Sequence, residues 1–328
     1  MWKRSLVAIV VLLCLIGSSP LVFAQDTQKK NPRELVLRIK STSVDELKKR
    51  SFLELNFLKN AVYASKGYRF ADDRLWLNEF FCGRTYTAKR STVAAASAAI
   101  SSWISKLKKE TSWDLDGFAF PPCKEGGAID PDQMKALANI RVALFKKIES
   151  FGNIRAVDAA LDAEFEKMPK EGNYFWVLGK PVSHDALSGP GRESIRRDVH
   201  GYNRMLYVIK NVQAFDAMEL LGLYAGDMIF LRQAIEAKYG KQFSGVLGWE
   251  ISQTIGVVES KKEYDPRKLP VEIQAKIQML DAIIQNILRS DLDNIPAALK
   301  NKSVEFYKPE PSEEEDSDNG GSYGGAAC

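Results

Sequence analysis

Leu58-Lys59-Asn60-Ala61-Val62-Tyr63-Ala64-Ser65-Lys66-Gly67-Tyr68-Arg69-Phe70 recurs as Leu231-Arg232-Gln233-Ala234-Ile235-Glu236-Ala237-Lys238-Tyr239-Gly240-Lys241-Gln242-Phe243, ungapped and 173 residues on. The register extends back through Phe57/Phe230 to Leu47/Leu220 and Glu46/Glu219. Self-similarity at a fixed spacing means that one folding unit was built twice, so the duplication sets the domain plan. In the first copy Ser51 and Glu54 have the spacing of a capping box, in which each side chain satisfies an orphan amide at a helix start. Phe57, Leu58, Ala61, Val62 and Ser65 then share one helical stripe. Gly67 is the expected stop, because glycine takes the left-handed conformation without strain, and Phe70 is expected to fold back on the core. In the second copy Phe230, Leu231, Ala234 and Ile235 mark the same stripe, Gly240 the same stop and Phe243 the same anchor.

Outward from the repeat, a second helix is predicted from Asp73 to Phe81, with Trp76 and Phe80 as core residues at helical spacing. An Ala/Ser-rich helical pattern from Arg90 to Trp113 and a Gly/Pro loop to Asp130 read as an insertion, about 90–129, that the second copy lacks. Asp130-Pro131 opens a helix through Ile148 carrying Met134, Leu137, Ile140, Leu144 and Ile148. Asp265-Pro266 opens the corresponding helix from Val271, with Ile273, Ile277, Leu280, Ile284 and Leu288. The expected plan is a mostly helical protein with a first module over 41–150, a helical connector over 151–217 and a second module over 218–300. Within the connector, Arg155–Met168 reads as a helix and Tyr174–Leu178 as a short strand or buried loop. Ser188–Gly191 reads as a turn, before a helix bearing Met205, Ile209 and Val212. Residues 25–40 show no clear periodicity. From Pro309 the chain is acidic and then Gly/Ser-rich, a composition that predicts a disordered tail over 309–328.

The first residues point to a location. Lys3 and Arg4, an apolar run from Leu6 to Ile16, and Val22-Phe23-Ala24 form a secretory signal peptide over 1–24, with cleavage expected after Ala24. The run is shorter than the roughly 20 residues a spanning helix needs. No later segment is apolar enough to span a bilayer, so the mature chain is expected outside the cytoplasm with no transmembrane segment. The formal net charge of +4 falls to +2 without Lys3 and Arg4, and the six acids from Glu310 to Asp318 leave about +8 on the body. That balance is compatible with anionic partners such as wall polymers. In an oxidising compartment Cys82 and Cys123 are the natural disulfide pair, a closure worth roughly 3–4 kcal/mol in the chain-entropy account. Cys328 is then the odd thiol.

Ser41–Tyr86 resembles the YARHG domain, a module of exported bacterial proteins. The resemblance lies in Tyr63-Ala64-Ser65-Lys66-Gly67-Tyr68 followed by Phe70, in the aromatic run Leu75-Trp76-Leu77-Asn78-Glu79-Phe80-Phe81, in Thr85-Tyr86, and in Ala138-Asn139-Ile140. Ser65, Lys66 and Thr85 replace the family's Arg, His and Trp, so no role resting on those residues is carried over. The second copy keeps Ala237, Gly240 and Phe243 and lacks both tyrosines. The resemblance implies an extracytoplasmic location and a small helical fold. It transfers no catalytic residue.

The chemistry-bearing residues are few. His184 and His200 are the only histidines, and neither belongs to a metal-ligand spacing, so no metal is expected. Ser183-His184-Asp185 holds triad residue types, but adjacent residues cannot stack nucleophile, base and orienter in line. Gly189-Pro190-Gly191 precedes a helix bearing Arg192, Arg196 and Arg197, whose start offers amides and charge to an anion. No Gly-Lys-Ser/Thr follows, so no nucleotide cofactor is expected, and no nucleic-acid partner either. Tyr63, Lys66 and Tyr68 place two aromatic faces beside a cation, a set suited to wall sugars or peptides. These readings favour a non-enzymatic envelope protein that binds cell-wall polymer or an envelope protein. The alternative is a hydrolase with its site in the connector or in the cleft between the repeats.

Overall fold

α1, Pro32–Ser41, begins at Asn31, whose side chain accepts the Arg33 amide at 2.9 Å, with proline in the first turn where its missing N–H is no loss. The computed structural model describes residues 29–70, 74–82, 113–124, 128–220, 223–256 and 264–294. Residues 1–24, where a signal peptide is expected, the Ala/Ser-rich pattern from Arg90, Tyr86, residues 309–328 and Cys328 lie outside the described residues, as do the side chains of Cys82 and Leu288.

After α1 come α2, Val44–Lys48, capped by Ser43, and α3, Phe52–Ala64. The predicted capping box of α3 is present: the Glu54 amide donates to Ser51 Oγ at 3.0 Å and the Ser51 amide to Glu54 Oε2 at 3.1 Å. α4 spans Leu75–Cys82 and a 3₁₀ turn Leu115–Gly117. α5, Pro131–Phe151, opens on a reciprocal Asp130–Gln133 box and ends at Gly152 in the left-handed conformation. α6 covers Ile154–Lys167. The undecided stretch 174–178 is a strand: β1, Lys170–Glu171, β2, Tyr174–Val177, and β3, Lys180–Ser183, form an antiparallel meander with Phe175 opposite Val182. A turn over Leu187–Gly191, kinked at Gly189, leads into α7, Arg192–Lys210. A 3₁₀ turn Ala217–Leu220, α8, Ala225–Lys238, α9, Gly245–Ile255, and α10, Val271–Asn294, complete the described chain.

The repeat is structural as well as sequential. The first turn of α2, the start of α3 and the turn that ends α3 all recur 173 residues on. The Tyr68 amide donates to the Tyr63 carbonyl at 3.4 Å and the Gly67 amide to Ala64 at 2.9 Å. Lys241 to Glu236 at 3.1 Å and Gly240 to Ala237 at 2.9 Å are the same two bonds, the signature of a Schellman end. Gly67 and Gly240 have φ of +72° and +102°, where a side chain is strained. Phe57/Phe230, Leu58/Leu231, Ala61/Ala234 and Val62/Ile235 are all buried. α5 packs on α3 as α10 packs on α8.

The two repeats share one core. α5 is its axis, with α1, α2, α3, α6, α7 and α9 packed on it. Phe145 of α5 lies 5.7 Å from the ring of Tyr202 on α7 and 6.0 Å from Phe230 on α8. Among the described residues no helix is long and apolar enough to cross a membrane.

Three elements differ from the sequence reading. α1 occupies part of the stretch without clear periodicity, and its buried Pro32, Leu35, Val36 and Ile39 form one helical stripe. The Asn139 side chain ties the end of α1 to α5 by donating to the Ile39, Lys40 and Thr42 carbonyls. α3 is buried on all sides, Leu53, Leu55, Asn56 and Asn60 included, because α5, α6 and α7 surround it. Met134 of α5 is 45% exposed, since Gln133, Ala136 and Ile140 carry the inward face there.

Candidate binding cleft

The C-terminal half of α3, the middle of α5, the first half of α7 and the approach to α8 enclose a cleft of about 390 Å³. On α3, Lys59 and Tyr63 are one turn apart and point the same way, as do Leu137 and Arg141 on α5 and Asp198 and Tyr202 on α7. The loop after α3 adds Tyr68, Arg69 and Phe70, and the segment 223–227 adds Tyr224 and Asp227.

One wall is aromatic. Tyr63 and Tyr68 lie with ring centroids 5.6 Å apart and tilted 50°, and Tyr68 meets Phe70 edge-on at 6.2 Å. Across the cleft the Arg74 guanidinium covers the Tyr224 ring at 4.7 Å, and Lys59 sits 5.5 Å from the Tyr202 ring. Tyr68 is 36% exposed and Tyr224 44%, so both are partly open to solvent.

The floor is electrostatic. Asp198, buried at the base, accepts from Lys59 Nζ at 2.6 Å, from Asn56 Nδ2 at 3.0 Å and from Arg74. Burial alone would raise its carboxyl, but Lys59 and then Arg74 outweigh burial and hold it below the usual carboxylate range. Asp227 is shifted the other way: burial pushes it up, with Arg141 and Lys59 offsetting part of the rise. Arg141 extends below the cleft to Glu250 Oε1 at 3.3 Å and lies over Phe230 at 4.9 Å. Among the described residues Lys59, Arg69, Arg74, Arg141 and Arg197 line the cleft with two acids, Asp198 and Asp227, the first of them bound to two cations.

Of the residues singled out from the sequence, the structure gathers Tyr63, Tyr68 and Arg197 at this cleft. Lys66 is elsewhere, 3.0 Å from Asp130, the residue that caps α5, so it ties the end of α3 to the start of α5. Arg192 and Arg196 both reach Asp162 Oδ1 at 2.6 Å, and the Arg192 hydrogen bond is the chief cause of the lowered Asp162 carboxyl. They pin α7 to α6 and do not join Arg197 as an anion cradle. His184 stacks on Phe175 at 4.9 Å with Nδ1 3.1 Å from Ser188 Oγ, while Ser183 caps the following turn. His200 Nε2 lies 2.6 Å from Asp158 Oδ1. Cys123 is disulfide-bonded. No group of three His, Cys, Asp or Glu suited to a metal occurs among the described residues.

The sequence reading missed Lys59, Arg74, Arg141, Asp198, Tyr202, Tyr224 and Asp227. Asp198 carried a signal: it stands among Ile195, Val199 and Tyr202 on the apolar face of α7, where an acid is costly unless paired. Its partners Asn56, Lys59 and Arg74 come from the first repeat, far off along the chain, and gave none.

Comparison with protein-family models, curated proteins and solved structures found no match.

Proposed function

We propose that this is a non-enzymatic protein of the bacterial envelope whose inter-repeat cleft binds anionic cell-wall material. The observation that carries the reading is a cleft with half-buried Tyr63 and exposed Tyr68 on one side and exposed Tyr224 on the other, lined also by Arg69 and Arg197, in which the buried Asp198 is already paired with Lys59 and Arg74. Sugar and peptide faces stack on tyrosine, and guanidinium groups fork onto carboxylates or phosphates. The leader-like residues 1–24 and the likeness of the first repeat to the YARHG module support the location.

The test is calorimetric titration of the mature chain with soluble muropeptides, alongside Tyr68→Ala and Arg197→Glu. Saturable binding weakened at least tenfold in either variant supports the reading. No heat with the folded wild type overturns it.

A hydrolase is the second reading, favoured by one observation: two carboxyls shifted in opposite directions line the same cleft, the pattern of an acid and its partner. Asp198 argues against it, because three donors already hold that carboxylate. Release of reducing ends from peptidoglycan, lost in Asp227→Asn, would instead make the cleft catalytic.

A further inference from the structure

The two repeats differ at the turn that closes their first long helix. In the first, a chain segment from the insertion lies across it. The Lys124 amide donates to the Gly67 carbonyl at 2.8 Å, and Tyr68 and Lys124 form an isolated parallel bridge. The Pro122 carbonyl oxygen stands 2.9 Å from the place a Cβ on Gly67 would take, so glycine there permits the close approach. Phe120 meets Phe81 edge-on at 5.1 Å, and Cys123 fastens the segment through its disulfide. Phe120-Pro121-Pro122-Cys123-Lys124 is thus an extended, proline-containing ligand that the first repeat supplies to itself.

The second repeat has the same turn, with the same two backbone hydrogen bonds and a left-handed Gly240. It has no such insertion: residues 83–130 link α4 to α5, whereas residues 256–270, with no proline pair, link α9 to α10. Among the described residues no segment is seated there, and a groove of about 500 Å³ lies between the turn and α9, with Ala237, Phe243, Ile251 and Ile255 as its apolar surface. Ile255 stands at the position of Cys82 and Phe243 at that of Phe70. Among the described residues no loop amide donates to the Gly240 carbonyl.

We propose that this groove binds an extended, proline-containing segment of a partner protein, in the manner the first repeat holds its own residues 120–124. An amide of the segment meets the Gly240 carbonyl, as in strand addition at an open edge, and its apolar side chains rest on Phe243, Ile251 and Ile255. Proline lowers the ordering cost, since a pre-extended segment loses little freedom on binding.

The experiment is fluorescence anisotropy with a labelled peptide of residues 118–124, carrying serine for Cys123, titrated with the mature chain, with Ser252→Trp, and with Gln242→Trp on the exposed rim. Circular dichroism verifies that each variant is folded. The proposal expects saturable binding to the wild type, weakened at least tenfold by whichever tryptophan variant folds, and none for a scrambled peptide. Equal binding to the wild type and both variants overturns it. So does an absence of binding, which would leave the groove to the chain's own residues 256–270 or to its tail. Self-association abolished by Ser252→Trp without peptide binding would give the groove to a second copy, and also overturns it.

Discussion

Lys59 Nζ stands 2.6 Å from Asp198 Oδ2, joining the duplicated helix of the first repeat to the connector beneath the cleft. Neither side chain is more than 12% exposed. A buried pair is a poor source of stability, but removing one partner leaves the others charged and unpaired. Asp198→Asn strands Lys59 and Arg74, and the expected loss is about 3–5 kcal/mol at neutral pH, read from urea midpoints. The Asp198 carboxyl is held below its ordinary value, so its contribution is present above that value and fades as pH falls through the folded one. The same variant adds net positive charge to the cleft, so its affinity for an anionic ligand rises while its stability falls. A loss of both would mean that the cleft does not bind through charge.

Lys66→Ala separates the fold from the site. Lys66 was a binding candidate by sequence, yet it pairs with Asp130 at the start of α5. Its side chain is 35% exposed, so the pair is worth no more than about 1 kcal/mol. Muropeptide affinity is expected to match the wild type, in contrast to Tyr68→Ala. A comparable loss in both would return Lys66 to the site.

What could be read from the chain follows from the range of each interaction. The Ser51–Glu54 box, the Gly67 and Gly240 stops and the apolar pairs of the duplication are local or repeated, so they were legible. Tyr63, Tyr68 and Arg197 were picked for residue type, and the fold brings them together. Arg192 and Arg196 were picked on the same ground, and Asp162 on a neighbouring helix engages both. Asp198 and its cations Lys59 and Arg74 are more than a hundred residues apart, and only the packing of the helices makes them neighbours. α1 was legible too, since Asn31-Pro32 is a helix start and Pro32, Leu35, Val36 and Ile39 are buried at i, i+3, i+4 and i+7, but the basic and polar residues between them hid that stripe.

Glu250 tests the electrostatics below the cleft. Burial raises its carboxyl above the ordinary value, and Arg141 and Lys135 offset only part of that rise. Between the ordinary and the raised value the folded state binds more protons than the unfolded one, so this group costs stability as pH rises. Glu250→Gln is therefore expected to equal the wild type in acid and to gain on it toward neutral pH. Urea midpoints of both proteins across that range check the prediction, and a difference that shrinks with rising pH would reverse the assignment.

Gly67→Ala tests the seating of residues 120–124. A side chain at a φ of +72° is strained by about 1 kcal/mol, and the new Cβ would also press on the Pro122 carbonyl at 2.9 Å, where backbone must shift. The expected result is a loss above about 1 kcal/mol together with faster hydrogen exchange at the Lys124 amide. A stable variant with unchanged exchange would show that the segment does not rest on Gly67.

Phe145→Ala asks whether two repeats make two folding units or one. Phe145 is 1% exposed and touches the rings of Tyr202 and Phe230, so one side chain of α5 serves the connector and the second repeat. Truncating a buried phenylalanine costs about 3–5 kcal/mol through lost burial and the cavity left behind. If each repeat had its own core, the variant would split calorimetric unfolding into two transitions, with one near the wild-type temperature. A shared core predicts a single transition displaced as a whole, with the van't Hoff and calorimetric enthalpies still equal. The shared burial of Phe57, Phe145 and Phe230 in one cluster favours the single transition, and a second peak in the scan would separate the repeats.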